Sequence, residues 1–373
     1  MIVIRYLLAA VALISAVPSY ADDSGQHSLR SDPEGTPIVV GSVHKIQSTV
    51  YGKEQTLTVR LPRGYADDPD RTWPVLFSVD GGPEQDFELL AGIAAEAEFS
   101  TSFEPFILIG VQTDDRYSQL TPPMTRMPME RLTENFGDRI KPGGAIKFRD
   151  YLATDVIPWV KSRYRTDRKI LTAVSLGGLF VTDTFFERPE MFDDYIAITP
   201  SLWWDAGRIA DEAAAKLAAQ RPSDRRFYLA MGDEGVGNLT GQWLATLVDA
   251  FRNHVPEGVK WAFVDRSGSE EHRTMALTTW LDAMRTLYLT PSRTGALGTM
   301  IYPDYKAPAY TTAVRQNLDA GRCRREIARP TTFAEKNDNY LVFYGQCVLM
   351  KPGLMPTATN FTLADYGRPP AGD

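Results

Sequence analysis

Ser175 lies in the run Leu171-Thr172-Ala173-Val174-Ser175-Leu176-Gly177-Gly178, between strand-like apolar residues and a stretch with helical spacing. A serine hydroxyl is a poor nucleophile until a base takes its proton and the backbone presents it clear of its surroundings. A sharp strand-to-helix turn does the presenting, and it needs very small residues two before and two after the serine. Ala173 and Gly177 occupy those places, an A-x-S-x-G variant of the usual G-x-S-x-G, in which one methyl is the smallest departure available. A helix starting at Leu176 would aim backbone N–H groups at an oxyanion forming beside the serine. Without a base downstream, the same residues would read as a serine N-cap on a glycine-rich helix start.

A base is available. The chain has four histidines, and only His254 and His272 follow Ser175, which suits the order serine, acid, histidine that goes with a serine on such a strand-to-helix turn. His254 ends the charged stretch DAFRNHVPEG, where a solvated helix C-terminus accounts for it. His272 closes RSGSEEH (266–272), a polar loop expected between the last strand and the last helix, and it is the expected base. The acid should follow the strand RFYLAMG, which delivers Asp233 and Glu234. Successive side chains at a strand end alternate faces, so only one can reach the imidazole. The residues by themselves leave both Asp233 and Glu234 as candidates. Glu270 and Glu271 are the other carboxylates near the base. A second oxyanion donor is expected from Gly81 and Gly82, in the loop after VLFSVDG.

These residues need a scaffold that brings distant strand ends together. VLFSVDGG (75–82), FILIGVQ (106–112), KILTAVS (169–175), YIAITPS (195–201), RFYLAMG (226–232) and KWAFVDRSG (260–268) are short buried-strand patterns. Helical patterns stand between them: FELLAGIAAEAEF, KFRDYLATDVIPWVKSRY, residues 176–186, DAGRIADEAAAKLAAQ and a stretch near 242–253. TMALTTWLDAMRTLYL follows as a last amphipathic helix. That alternation predicts an α/β fold with a doubly wound sheet over residues 37–290, in which KWAFVDRSG closes the strand series. Beyond a Gly/Ser/Thr linker, residues 291–373 read as a C-terminal extension, with one strong strand pattern at YLVFYGQCVLM (340–350).

Composition sets the outer limits. The 373 residues carry a net charge of −7, which argues against a general nucleic-acid binder, because phosphate neutralisation needs a concentrated basic face. Residues 1–21 hold a lone Arg5, an apolar run and Ser19-Tyr20-Ala21. This is a secretory signal pattern, too short for the roughly 20 residues of a bilayer span. Cleavage near Ala21 would leave a polar leader over 22–36 and a periplasmic or secreted protein without stable membrane insertion. In that oxidising setting Cys323 and Cys347, the only cysteines, are expected to pair. There is no CxxC or HExxH and there are only four histidines, so zinc is not expected, and a Ser-His-acid mechanism calls for no metal or organic cofactor.

Several stretches resemble the esterase D-like family of α/β hydrolases, and within it the periplasmic siderophore trilactone esterases. They are VLFSVDGGPEQDF, the R-x-x-x-L-T-P stretch at 116–122, GGAIKFRDYLATDVIPWVKSRYRTD, VSLGGLF, RPEMFDDYIAITPSLWWD, YLAMGDE and the EEH at 270–272. The likeness spans roughly residues 40–290, about one hydrolase domain. It implies an α/β-hydrolase sheet, a Ser175 nucleophile and a His272 base, with Trp203 and Trp204 near the pocket. In relatives the acid often stands three residues after the strand-ending glycine, which here is Gly235, so the resemblance favours Glu234, whose longer side chain compensates for lying one position short, with Asp233 facing solvent or bracing the loop. The resulting expectation is a serine hydrolase of small-molecule carboxylic esters. Acyl transfer on the same triad and a non-catalytic binding protein on a hydrolase scaffold are the alternatives.

Overall fold

The computed structural model describes residues 35–136, 141–234 and 240–288, and the backbone of a two-residue strand at 358–359. The signal pattern, almost all of the leader, Gly235, the strand pattern at 340–350 and both cysteines lie outside the described residues.

Among the described residues, nine strands form one sheet. In chain order they are β1 (Ser42–Gln47), β2 (Glu54–Arg60), β3 (Trp73–Val79), β4 (Ile107–Val111), β5 (Thr166–Val174), β6 (Asp194–Ile198), β7 (Arg226–Met231), β8 (Lys260–Asp265) and β9 (Ala358–Thr359). Their order across the sheet is β1-β2-β4-β3-β5-β6-β7-β8-β9. Strands β3 to β8 run parallel, the β1–β2 hairpin joins β4 antiparallel, and β9 runs antiparallel to β8. The strands β3, β4 and β6 are buried along their whole length. Helices cover both faces, which is why these strands read as unbroken apolar runs.

On one face lie α1 (Phe87–Ser100) and α9 (Met275–Tyr288), which share a core with Leu76, Leu108, Ile196 and Tyr228. The other face carries α4 (Ala145–Tyr151), α5 (Ile157–Lys161), α6 (Leu176–Glu187), α7 (Arg208–Ala219) and α8 (Thr240–His254) around Phe77, Leu171 and Phe227. The helical pattern at 147–164 becomes α4, a π-turn over Leu152–Val156, and α5. Pro158 lacks the N–H that would bond one turn back, and the chain widens just before it. Two short helices, α2 (Arg116–Leu120) and α3 (Met129–Phe136), precede α4. The parallel order 4-3-5-6-7-8 with helices on both sides is the expected doubly wound α/β-hydrolase sheet.

The strand series does not close at β8. Residues 358–359 pair with it, Thr359 opposite Ala262 and Ala358 opposite Phe263. An edge strand presents unpaired backbone groups, and a segment of the same chain can satisfy them. The candidate catalytic residues leave the sheet at its carboxyl edge: Ser175 after β5, Asp233 and Glu234 after β7, and His272 after β8.

Candidate active site

Ser175 sits at φ 63° and ψ −120° between β5 and α6. Such a backbone is uncommon for a residue with a Cβ and marks a strained turn. The segment after β6 braces it: Ser175 N–H donates to the Ile198 carbonyl at 3.0 Å, and Ser201 N–H donates to the Ser175 carbonyl at 3.1 Å. A Cβ built on Gly177 would stand 2.5 Å from the Cβ of Ala173. One of those two positions must therefore lack a side chain, and here it is Gly177. That is how an alanine is accommodated two residues before the serine.

The loops after β7 and β8 are tied to each other by their main chains. Asp233 N–H donates to the Glu270 carbonyl at 2.8 Å, His272 N–H donates to the Asp233 carbonyl at 3.3 Å, and Asp233 and Glu271 form a parallel bridge. With the Asp233 backbone locked in this ladder, the next side chain turns toward the imidazole. His272 Nδ1 lies 2.9 and 3.0 Å from the two Glu234 carboxylate oxygens, and Nε2 lies 3.0 Å from Ser175 Oγ. The Asp233 side chain is exposed, whereas Ser175 and Glu234 are half-buried. His254, the last residue of α8, is exposed and takes no part.

The loop after β3 departs from expectation. Gly81 N–H donates to the Val111 carbonyl at 3.0 Å, so it is occupied by the sheet and is not an oxyanion donor. A Cβ at Gly81 would lie 2.3 Å from the Gly110 Cα, so this glycine serves close packing on β4. Gly82 N–H donates to Gln85 Oε1 at 2.9 Å, and Gln85 Nε2 in turn donates to the Thr113 carbonyl at 2.8 Å. Leu176 opens α6, where helix geometry leaves the first N–H groups without intrahelical partners.

Charge is concentrated beside the elbow. Arg116 Nε donates to Asp80 Oδ2 at 2.9 Å, and Nη2 donates to the carbonyl of Val174, the residue before Ser175, at 3.3 Å. The Asp80 carboxylate also accepts from Thr113 Oγ1, and Asp80 itself has φ 57°. Asp86 stands near both Asp80 and Arg116 and makes no capping hydrogen bond to α1. Burial, and then repulsion from Asp80, push its carboxyl up to about 7 from the ordinary 3.8. Because the folded value is raised, the folded chain holds the extra proton, and stability falls as pH climbs from about 4 to 7. Replacing Asp86 with Asn should leave Tm unchanged near pH 4 and raise it by about 3 °C or more above pH 7. Thermal scans at the two pH values check this, and an equal shift at both would refute it.

A family model described as "Putative esterase" matches residues 48–256, more than half of the chain. The chain belongs to that family. Among curated relatives of this esterase-family chain, the siderophore triacetylfusarinine C esterase of Aspergillus fumigatus is 38% identical over 84 residues, 22% of this chain and 29% of that one. The ferri-bacillibactin esterase BesA of Bacillus subtilis is 27% identical over 165 residues, 41% of this chain and 56% of that one. The chain thus matches between about a quarter and about half of the curated relatives' lengths. The fold matches that of an IroE-like serine hydrolase from Shewanella oneidensis, with TM-score 0.57, 20% identity, and coverage of 66% of this chain and 80% of that one. It also matches the BES protein from Bacillus cereus, with TM-score 0.56, 20% identity, and coverage of 68% and 98%.

Of the two tryptophans that the esterase likeness placed near the pocket, Trp204 is core. It is 2% exposed, and its indole N–H donates to the Pro122 carbonyl at 3.1 Å. Burying an indole is favourable when its N–H is satisfied, and this one anchors the 199–205 loop to the 121–123 turn. Trp203 is half-buried, edge-on to it at 5.7 Å. Sequence reasoning passed over Thr199, Ser201 and Arg116. Thr199 Oγ1 donates to Glu234 Oε1 and lies 3.4 Å from His272 Nδ1, while Ser201 Oγ lies 3.4 Å from Ser175 Oγ. Each stands in a stretch that carried the family likeness (TPSLWWD and R-x-x-x-L-T-P), which was the available signal.

Proposed function

We propose that this chain is an exported serine hydrolase that cleaves carboxylic esters of siderophore-like, anionic small molecules through an acyl-enzyme. The observation that carries the reading is the unbroken relay from Ser175 Oγ through His272 to Glu234, with both links near 3 Å. Those distances suit a proton transfer. As Ser175 Oγ attacks the ester carbonyl, its proton passes to His272 Nε2, and Glu234 at Nδ1 stabilises the imidazolium. The Leu176 N–H receives the oxyanion, joined by the Gly82 N–H when Gln85 yields it. Collapse of the tetrahedral intermediate expels the alcohol, which takes the proton from His272. A water deprotonated by the same nitrogen then frees the acid.

The anionic preference rests on Arg116, whose side chain is 42% exposed and is held beside the elbow by Asp80. A fixed guanidinium there complements catecholate, hydroxamate or carboxylate oxygens on an acyl group. The signal pattern at 1–21 supports export, and no described helix is long and apolar enough to cross a membrane.

A fluorophosphonate probe followed by a substrate panel tests the whole reading. Labelling should map to Ser175, and siderophore lactones should be turned over with a higher kcat/KM than neutral aryl esters, feruloyl sugars or acyl thioesters. Folded protein that takes no label would instead be a binding protein on this scaffold. A product formed only with an added alcohol would make it an acyltransferase.

A further inference from the structure

We propose that Thr199 is a positioning residue that fixes the carboxylate of Glu234 against His272. This inference rests on the triad reading above. Thr199 follows the last residue of β6, is fully buried, and has φ 40°. A β-branched residue in that region is an outlier, and such outliers persist only where the surroundings over-determine them. The determinants are visible. Thr199 N–H donates to the Ala230 carbonyl at 2.7 Å, and the turn brings Ser201 N–H back to the Ser175 carbonyl. One short segment therefore touches the supports of both the nucleophile and the acid.

The hydroxyl's role follows from the donor inventory. An ionised carboxylate only accepts, so Thr199 Oγ1 must be the donor to Glu234 Oε1. His272 Nδ1 approaches both oxygens of the same carboxylate at 2.9 and 3.0 Å, and Thr199 Oγ1 lies 3.4 Å from that nitrogen. Two donors from different elements thus define the carboxylate plane. A glutamate has one more torsion than an aspartate, and its carboxyl group swivels broadly about the last bond. Held by the imidazole alone, it would leave the productive plane. The Met231 sulfur, 3.2 Å from the Thr199 oxygen, is the hydroxyl's other neighbour. It is a weak acceptor that competes poorly with a carboxylate.

The test compares Thr199→Val, which keeps the shape and removes the donor, with Thr199→Ser, which keeps the donor. On the best ester from the panel, Thr199→Val should lower kcat about 10- to 50-fold with KM within about threefold, and Thr199→Ser should stay within about threefold of wild type. In a Glu234→Gln background, Thr199→Val should cost less than about twofold more, since it acts through the missing carboxylate. If the valine variant does not fold, Thr199→Ala takes its place against the same serine rescue. The proposal is overturned if the folded valine variant keeps wild-type kcat, if serine fails to rescue, or if the losses multiply fully in the Glu234→Gln background. Should Glu234→Gln itself be harmless, the triad reading fails and this inference falls with it. A damaging Glu234→Gln beside a silent Thr199→Val removes only the role of Thr199.

Discussion

Ser175→Ala should lower kcat/KM for ester hydrolysis by about 10⁴-fold or more, abolish fluorophosphonate labelling and leave the fold intact. On the proposed mechanism the loss is large because the hydroxyl forms the acyl-enzyme, and His272 and Glu234 act only through it. The fold should survive because alanine meets the same backbone demand at φ 63° that serine already meets. The side-chain contacts removed are those to His272 Nε2 at 3.0 Å and Ser201 Oγ at 3.4 Å. Such contacts at a half-buried site are worth about 1 kcal/mol, a shift of only a few degrees in Tm. Steady-state hydrolysis and circular dichroism on the same sample check both halves. Activity within about tenfold of wild type, roughly 1.4 kcal/mol in barrier, would point to another nucleophile. Ser201 would be the first to replace, its oxygen being the neighbouring hydroxyl. His272→Ala should match the loss at Ser175, while His254→Ala, at an exposed helix end, should be silent.

Glu234→Gln should reduce kcat by about 10²- to 10⁴-fold, and Asp233→Asn should change it less than about threefold. The contrast between two neighbouring acidic residues comes from what each contributes. Glu234 presents its carboxylate to Nδ1, whereas Asp233 contributes its main chain to the ladder with Glu270 and His272, which asparagine retains. The glutamine loses the charge that stabilises the imidazolium, and its amide nitrogen offers Nδ1 a donor at one of the two positions, 2.9 and 3.0 Å away, where the carboxylate offered only acceptors. Kinetics of the two variants decide the matter. A reversed ranking would make Asp233 the acid, and two silent variants would move the search to Glu270 and Glu271.

The scaffold and the principal chemical groups were legible in the sequence because their signals are local. Strands β3, β4 and β6 are covered on both faces and so appear as apolar runs, and α6 begins where small residues crowd around Ser175. With four histidines and a chain order to respect, counting left His272 as the expected partner; side-chain alternation allowed only one of Asp233 and Glu234 to face it, and the family likeness favoured the longer Glu234. The structure decided whatever depends on loops from separate strands meeting. Ser175 and His272 are 97 residues apart, Glu234 and His272 are 38 apart, and Thr199 and Glu234 are 35 apart. No periodicity connects such pairs. The same holds for the Gly81 N–H, which looked available for an oxyanion until Val111 was seen to accept it. It holds too for Trp204, whose burial depends on a carbonyl 82 residues away. A sequence records which groups can donate, accept or ionise. Only the packed sheet, by bringing its carboxyl ends to one edge, determines which of those groups are already bonded to each other and which still face a substrate.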